Sequence, residues 1–151
     1  MSATTIHAGC VVIGEAGVLI RGPSGSGKSA LARRLVEIAR GRGAFARPVA
    51  DDRVRLERRH DRLLARPVPA IAGLQEIRGW GIVAAEHEGA AIVRLVVDCL
   101  TEPPERLPAP EGRRTSLEGL ILPRVAGLAG DPLAALALAR LAGRDDAIET
   151  R

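Results

Sequence analysis

The chain has 151 residues, room for one domain with a sizeable core, and its 46% hydrophobic and 26% charged content is that of a globular protein rather than a disordered one. No apolar run approaches the roughly 18 residues that span a bilayer, and Met1 to His7 has neither the basic start nor the long apolar stretch of a signal peptide. A net charge of +4 raises a nucleic-acid role, but the arginines are scattered and 1% aromatic content leaves almost no surface on which bases could stack. Neither nucleic acid nor membrane is therefore expected as a partner. Cys10 and Cys99 lie far apart without metal-ligand spacing and are expected to be buried thiols of a soluble, cytoplasmic protein.

In chain order, Val11-Val12-Ile13 and Val18-Leu19-Ile20 are short apolar runs around Gly14 to Gly17, which predicts a tight strand-to-strand turn. The second run enters a Gly-rich loop, and Lys28 to Arg40 reads as a helix, with Leu31, Leu35 and Ile38 at helical spacing and Gly41 as its stop. A short strand is expected over Phe45 to Ala50, ending at Asp51-Asp52. Val54 to Leu56 and Leu63-Leu64 flank the polar segment Glu57 to Arg62 and suggest a hairpin. Glycines flanking Trp80, the only tryptophan, point to a constrained turn. Ile92 to Leu100 is the longest β-like run and the expected central strand. Pro103 to Pro110 reads as a loop. Asp131 is the expected N-cap of a final helix with Pro132 at its first position and Gly143 closing it. The Ala/Leu mixture of that helix predicts deep burial or a subunit contact. The predicted organisation is a single domain over residues 1–143 followed by a solvated, flexible tail over residues 144–151.

The stretch Gly22-Pro23-Ser24-Gly25-Ser26-Gly27-Lys28-Ser29 is a complete match to the pattern G-x-x-x-x-G-K-[ST], and it sits between a predicted strand and helix as that motif requires. Glycines let backbone N–H groups converge on phosphate oxygens, and the helix N-terminus adds a positive dipole. Lys28 would neutralise the β- and γ-phosphates and the Ser29 hydroxyl would ligate Mg²⁺. Of the 22 basic residues only Lys28 is a lysine. In a chain that otherwise uses arginine, the one compact ammonium falls where a point charge rather than a planar fork suits phosphate. The motif says nothing about the acceptor.

Two further segments could carry chemistry. Asp51-Asp52 at the end of a strand could face the γ-phosphate, one carboxylate accepting a proton and its neighbour supporting the metal; a solvated turn explains the pair equally well. In Glu76-Ile77-Arg78-Gly79-Trp80-Gly81-Ile82, Glu76 and Arg78 would share one face if extended, as a functional pair or a surface ion pair. His7, His60 and His87 lack metal-ligand spacing.

Together these segments resemble the catalytic domain of HPr kinase/phosphorylase, the bacterial family that modifies a serine of the phosphocarrier HPr. The resemblance rests on Ile6-His7-Ala8-Gly9, Gly22 to Ser29, Val49-Ala50-Asp51-Asp52-Arg53-Val54 and Glu76 to Ile82, and it extends over residues 6–125. It implies an α/β, P-loop kinase-like domain with a mainly β core sheet, the P-loop helix on it and a C-terminal helix, in a short form consisting of the catalytic domain only. It implies an ATP- and Mg²⁺-dependent protein-serine kinase with an HPr-type carrier as partner, and homo-oligomers up to the hexamer found in the family. By position it gives the general-base role to Asp51, with Asp52 beside the metal, Mg²⁺ to Ser29 and Glu76, an active-site role to His7 and the catalytic arginine to Arg106, with Lys28 at the phosphates and Arg78 and Gly79 supporting. The family's late loop, linked to dephosphorylation, corresponds to Leu122 to Gly127 and the following Leu128 to Pro132, without the usual Gly-Arg pair, which leaves that activity open. A small-molecule P-loop kinase and a nucleotide-binding module without catalysis are the alternatives. No lid-like arginine-rich segment favours the first, and the intact Lys28, Ser29, Asp51 and Glu76 argue against the second.

Overall fold

The computed structural model describes residues 3–77, 79–84, 86–105 and 109–143. In chain order these form β1 (Thr4–His7), β2 (Gly9–Ile13), β3 (Ala16–Arg21), α1 (Lys28–Gly41), β4 (Ala46–Ala50), β5 (Arg53–Arg59), β6 (Arg62–Pro67), β7 (Leu74–Ile77), β8 (Gly81–Ala84), β9 (Ala91–Cys99), β10 (Arg114–Leu117), β11 (Leu120–Gly127) and α2 (Asp131–Leu141), with single 3-10 turns at Pro69–Ile71 and Pro110–Arg113. Among the described residues nine strands make one sheet, ordered β1-β5-β6-β9-β3-β2-β4, with β11 joining β9 and β10 pairing only with β11. β7 and β8 form a separate hairpin. The strand expected to be central, β9, is so: it runs parallel to β3 and β11 and antiparallel to β6.

Side chains of a strand alternate between faces, and here both faces are buried. Val18, Ile20, Leu95 and Val97 meet Leu31 and Leu35 of α1 and Leu133 and Ala137 of α2. On the opposite face, Leu19, Val93 and Val96 pack with Val54, Leu56, Leu63 and Ala65 of the β5–β6 hairpin. Leu31, Leu35, Leu56 and Leu63 are no more than 2% exposed, so each contributes about 1.5–3 kcal/mol from removal of apolar surface from water. The fold is thus an α/β domain with a mainly β sheet, the loop-bearing helix on one face and a C-terminal helix beside it, as expected. No helix among the described residues is long and apolar enough to cross a membrane.

The local differences from expectation have physical reasons. The hairpin strands reach into the polar segment Glu57 to Arg62, because only alternate residues need be apolar, and the reversal narrows to His60 (φ 56°) and Asp61. The α1 helix continues through Gly41 and reverses at Gly43 (φ 82°), where the Ala44 N–H donates to the Ala39 carbonyl at 2.9 Å. Asp131 does not cap α2. It is the first helical residue, Gly130 precedes it, and its carboxylate accepts hydrogen bonds from Arg34 at 2.9 and 3.2 Å instead. Leu133, Ala134, Ala137 and Leu138 are the buried face of α2, while Leu136 stays 41% exposed. Leu122 to Gly127, matched above to a loop, is the last six residues of β11, of which Arg124 to Gly127 pair with Val96 to Cys99 of β9. The tail expected over residues 144–151 lies outside the described residues.

Candidate functional site

The Gly-rich loop joins β3 to α1. Gly22 has φ 153°, and a Cβ there would meet the Ser26 Oγ at 2.6 Å and the Cys99 carbonyl oxygen at 2.7 Å, so no side chain fits at the first loop position. Gly27 has φ 95° and a Cβ there would lie 2.7 Å from that of Ala129. Lys28, 9% exposed, is the only buried charged residue among those described, and its Nζ donates to the carbonyl oxygens of Gly22 (2.8 Å) and Pro23 (3.2 Å). The ammonium thus caps the loop's own carbonyls, from which it can swing to phosphate oxygens. The Ser26 hydroxyl is buried without a hydrogen-bond partner, and the first turn of α1 carries no acidic residue. An orphaned donor, a close backbone approach and a helix N-terminus with no acidic residue of its own in the first turn fit a phosphate chain.

The carboxylates come to the same edge through topology. β4 and β3 are each antiparallel to β2, so they run in the same direction and end together. Asp51 and Asp52 follow β4, and the Ser29 hydroxyl donates to the Asp51 Oδ1 at 3.0 Å. Asp52 sits at φ 71° and the Arg53 N–H donates to the Asp51 carbonyl at 2.9 Å, a three-residue turn with its central residue in the left-handed region. Such turns are rare and strained for a non-glycine residue. The strain aims Asp52 at His7, whose Nε2 is bonded to the Asp52 Oδ1. His7 is the last residue of the edge strand β1, opposite Arg53 of β5. Both groups of this pair remain accessible, at 47% and 65% exposure.

Glu76 lies on β7, opposite Ile82 of β8, and its side chain is outside what the structure describes. The constrained turn expected here is present: Gly79 has φ 80° and the Trp80 N–H donates to the Ile77 carbonyl at 2.9 Å. Leu74, where β7 begins, lines a cavity of about 290 Å³ together with Ser29, Asp51, Val36 and Val49. Arg78 and Arg106 fall outside the described residues. The structure therefore brings Ser29 to Asp51 and His7 to Asp52 beside the loop that carries Lys28, with the Glu76-bearing hairpin beginning at the cavity that Ser29 and Asp51 line.

One cluster escaped the sequence reading. At the end of β9, Asp98 accepts two hydrogen bonds from Arg21 (2.7 and 2.8 Å) and one from Arg124 (2.5 Å), and Arg124 also donates to the Gly112 carbonyl at 2.8 Å. Burial alone would raise the Asp98 carboxyl, but the hydrogen bonds and charges of the two guanidiniums outweigh it and hold the group below the usual carboxylate range. Arg21 immediately precedes Gly22, so the cluster fixes the strand that delivers the phosphate loop. Leu95-Val96-Val97-Asp98, an apolar run ending in an acid, was its visible signal. Cys10 and Cys99 are buried free thiols, as expected, and burial pushes the Cys10 thiol up to about 12.

The strand, Gly-rich loop and helix, with carboxylates at the same sheet edge, define a P-loop phosphate-binding domain. Comparison with known proteins narrows this class. The model of the HPr Serine kinase C-terminal domain matches residues 1–94, and the chain belongs to that family. The HPr kinase/phosphorylase of Halalkalibacterium halodurans is 47% identical over 81 residues, which cover 53% of this chain and 24% of that protein. The match thus spans about a quarter of the relative's length. The HPr(Ser) kinase/phosphatase from Coxiella burnetii superposes with a TM-score of 0.69 at 26% identity, covering 97% of this chain and 99% of that one.

Proposed function

We propose that this chain transfers the γ-phosphoryl group of ATP, with Mg²⁺, to a serine of an HPr-type phosphocarrier. The observation that carries the reading is the placement of Ser29–Asp51 and His7–Asp52 together at the mouth of the phosphate loop, in a chain of the HPr serine kinase family. Lys28 leaves the loop carbonyls for the phosphates, while Gly22 to Gly27 present backbone N–H groups and Ser26 supplies its unpaired hydroxyl. Ser29 and Glu76 would hold Mg²⁺, which when bound neutralises charge on the phosphate oxygens. In the transfer the serine oxygen bonds to the γ-phosphorus, the bond to the β–γ bridging oxygen breaks, ADP leaves and the serine proton passes to a carboxylate of the Asp51-Asp52 pair. Arg106 would face the charge spread over the transferred group.

The resemblance gives the base role to Asp51. Side-chain pairing favours a second assignment within the same pair. Asp51 is already bound by the hydroxyl proposed to hold the metal, whereas Asp52 is exposed and partnered by His7, a group able to orient a base and share its proton. In this assignment Asp51 serves the metal side and Asp52 accepts the proton. The overall reading is tested by incubating the protein with labelled ATP, Mg²⁺ and HPr-type carriers and mapping the label. Phosphoserine on the carrier is expected; nucleotide binding with no transfer to any carrier would instead favour a non-catalytic module.

A further inference from the structure

Beside the His7–Asp52 pair the sheet presents an unbalanced set of arginines. β5 turns Val54 and Leu56 inward and Arg53 and Arg55 outward. Arg53 opposes His7 of β1, and Arg55 opposes Arg66 of β6, in register. Residues directly opposed on antiparallel strands hold their Cβ atoms about 4.5–5.5 Å apart, where like charges repel. Two nearby arginines are occupied: Arg58 donates to the carbonyls of His60 (2.7 Å) and Glu118 (3.1 Å), and Arg59 is bonded to Glu57. The Glu57 carboxyl is held below its ordinary range by Arg59 first, with Arg66 a lesser contributor. Among the described residues the side chains of Arg53, Arg55 and Arg66 form no hydrogen bond or ion pair, and all three are exposed.

We propose that Arg53, Arg55 and Arg66 form a docking strip for an acidic face of the protein acceptor, an inference that rests on the kinase reading above. The strip is continuous with the site, since Asp51, Asp52 and Arg53 are consecutive and Arg55 lies about 7 Å further along β5. A protein that presents a serine to Asp52 covers roughly 800 Å² of this chain, so contact must spread from the cleft onto neighbouring surface. Two opposed, unpaired guanidiniums disfavour the free sheet, and carboxylates of a partner would remove that repulsion while steering its approach. The strip bears no aromatic side chain on which bases could stack, which sets nucleic acid aside as the occupant. The acceptor should therefore carry aspartates or glutamates about 7–14 Å from its serine, matching one to two such steps along β5.

The test compares native protein, Arg55→Ala and the double reversal Arg55→Glu/Arg66→Glu. Transfer rates are measured against carrier concentration at two ionic strengths, carrier affinity by calorimetry without nucleotide, and nucleotide affinity with a fluorescent ATP analogue. The double reversal should raise the carrier KM at least tenfold and Arg55→Ala about threefold, with kcat within twofold and nucleotide affinity unchanged. The native KM should rise with salt and that of the double reversal should not. Arg55→Ala should melt no lower than native, because it relieves a like-charge pair. A double reversal with native KM and carrier affinity overturns the strip, as does one that loses only binding to a random RNA. A native protein that binds the carrier but transfers nothing overturns the kinase reading instead; loss of that binding in the double reversal would still support the strip.

Discussion

The division of labour between Asp51 and Asp52 can be separated by two isosteric substitutions. Asp52→Asn keeps a side-chain oxygen that can accept from His7 but removes the ability to take up a proton. A positioned general base contributes about 10²–10⁴ in rate, so kcat should fall by that factor, equivalent to about 2.7–5.4 kcal/mol of barrier. Nucleotide affinity should stay native, because Asp52 contacts His7 and not the Gly-rich loop. Asp51→Asn acts elsewhere. It takes negative charge from the partner of the Ser29 hydroxyl, 3.0 Å away, and loss of such a supporting partner costs roughly 10–100-fold in metal affinity. The concentration of Mg²⁺ for half-maximal rate should therefore rise by about tenfold or more, with kcat at saturating Mg²⁺ within a few-fold of native. The assay is initial-rate formation of phosphoserine on the carrier, titrated in Mg²⁺, beside equilibrium binding of a fluorescent nucleotide. If Asp52→Asn kept a kcat within threefold of native while Asp51→Asn lost a hundredfold at saturating Mg²⁺, Asp51 would be the base and the argument from side-chain pairing would be wrong.

Asp98 makes a second target. Removing the shared carboxylate with Asp98→Asn leaves Arg21 and Arg124, each about a quarter exposed, facing one another; about 3 kcal/mol of stability should be lost, near the low end for a broken buried pair because the arginines keep some contact with water. Its pH signature has a definite sign. The folded carboxyl is depressed, so its stabilisation is present above the unfolded value of about 3.9 and is lost as pH falls through the folded value. Native protein should lose stability below about pH 4 more steeply than Asp98→Asn in acid titrations of the melting temperature, and parallel curves would remove the electrostatic argument. At the loop, Gly22→Ala forces a Cβ against the Ser26 Oγ and the Cys99 carbonyl, so it should lower nucleotide affinity at least tenfold. Native affinity in calorimetry would mean the loop reshapes at little cost.

What the sequence made legible follows from the range over which each feature is specified. The phosphate loop could be read because its chemistry needs fixed residue types at fixed local spacing, and α1 because Leu31 and Leu35 recur on one face. The β2–β3 turn and the central β9 were visible as apolar runs between breakers. β1 was not: in Thr4–His7 only Ile6 falls short of being exposed, so an edge strand with one inward residue leaves almost no pattern. β10 is silent for the same reason, with Thr115 and Leu117 only partly covered. The Asp98 cluster needed the pairing of β9 with β11, from residues 26 apart in sequence, to bring Arg124 to its carboxylate.

The Asp-Asp pair shows where such reading stops. Asp51 and Asp52 lie in the turn between β4 and β5, where no alternation of faces assigns their directions, so the sequence shows two adjacent acids but not which environment each receives. Here the answer is set by two separate pairings. β4 on β2 brings Asp51 to the start of α1, while β5 on β1 brings His7 beside Asp52. Between them the chain turns through a left-handed residue at Asp52, strain that a simple solvated turn has no cause to hold. In the assignment proposed above, the choice of proton acceptor is therefore a property of the edge strand β1 as much as of the acids themselves. Giving the base role to Asp51 instead would leave the proton acceptor without the histidine partner that Asp52 has, since the side-chain partner of Asp51 is the Ser29 hydroxyl.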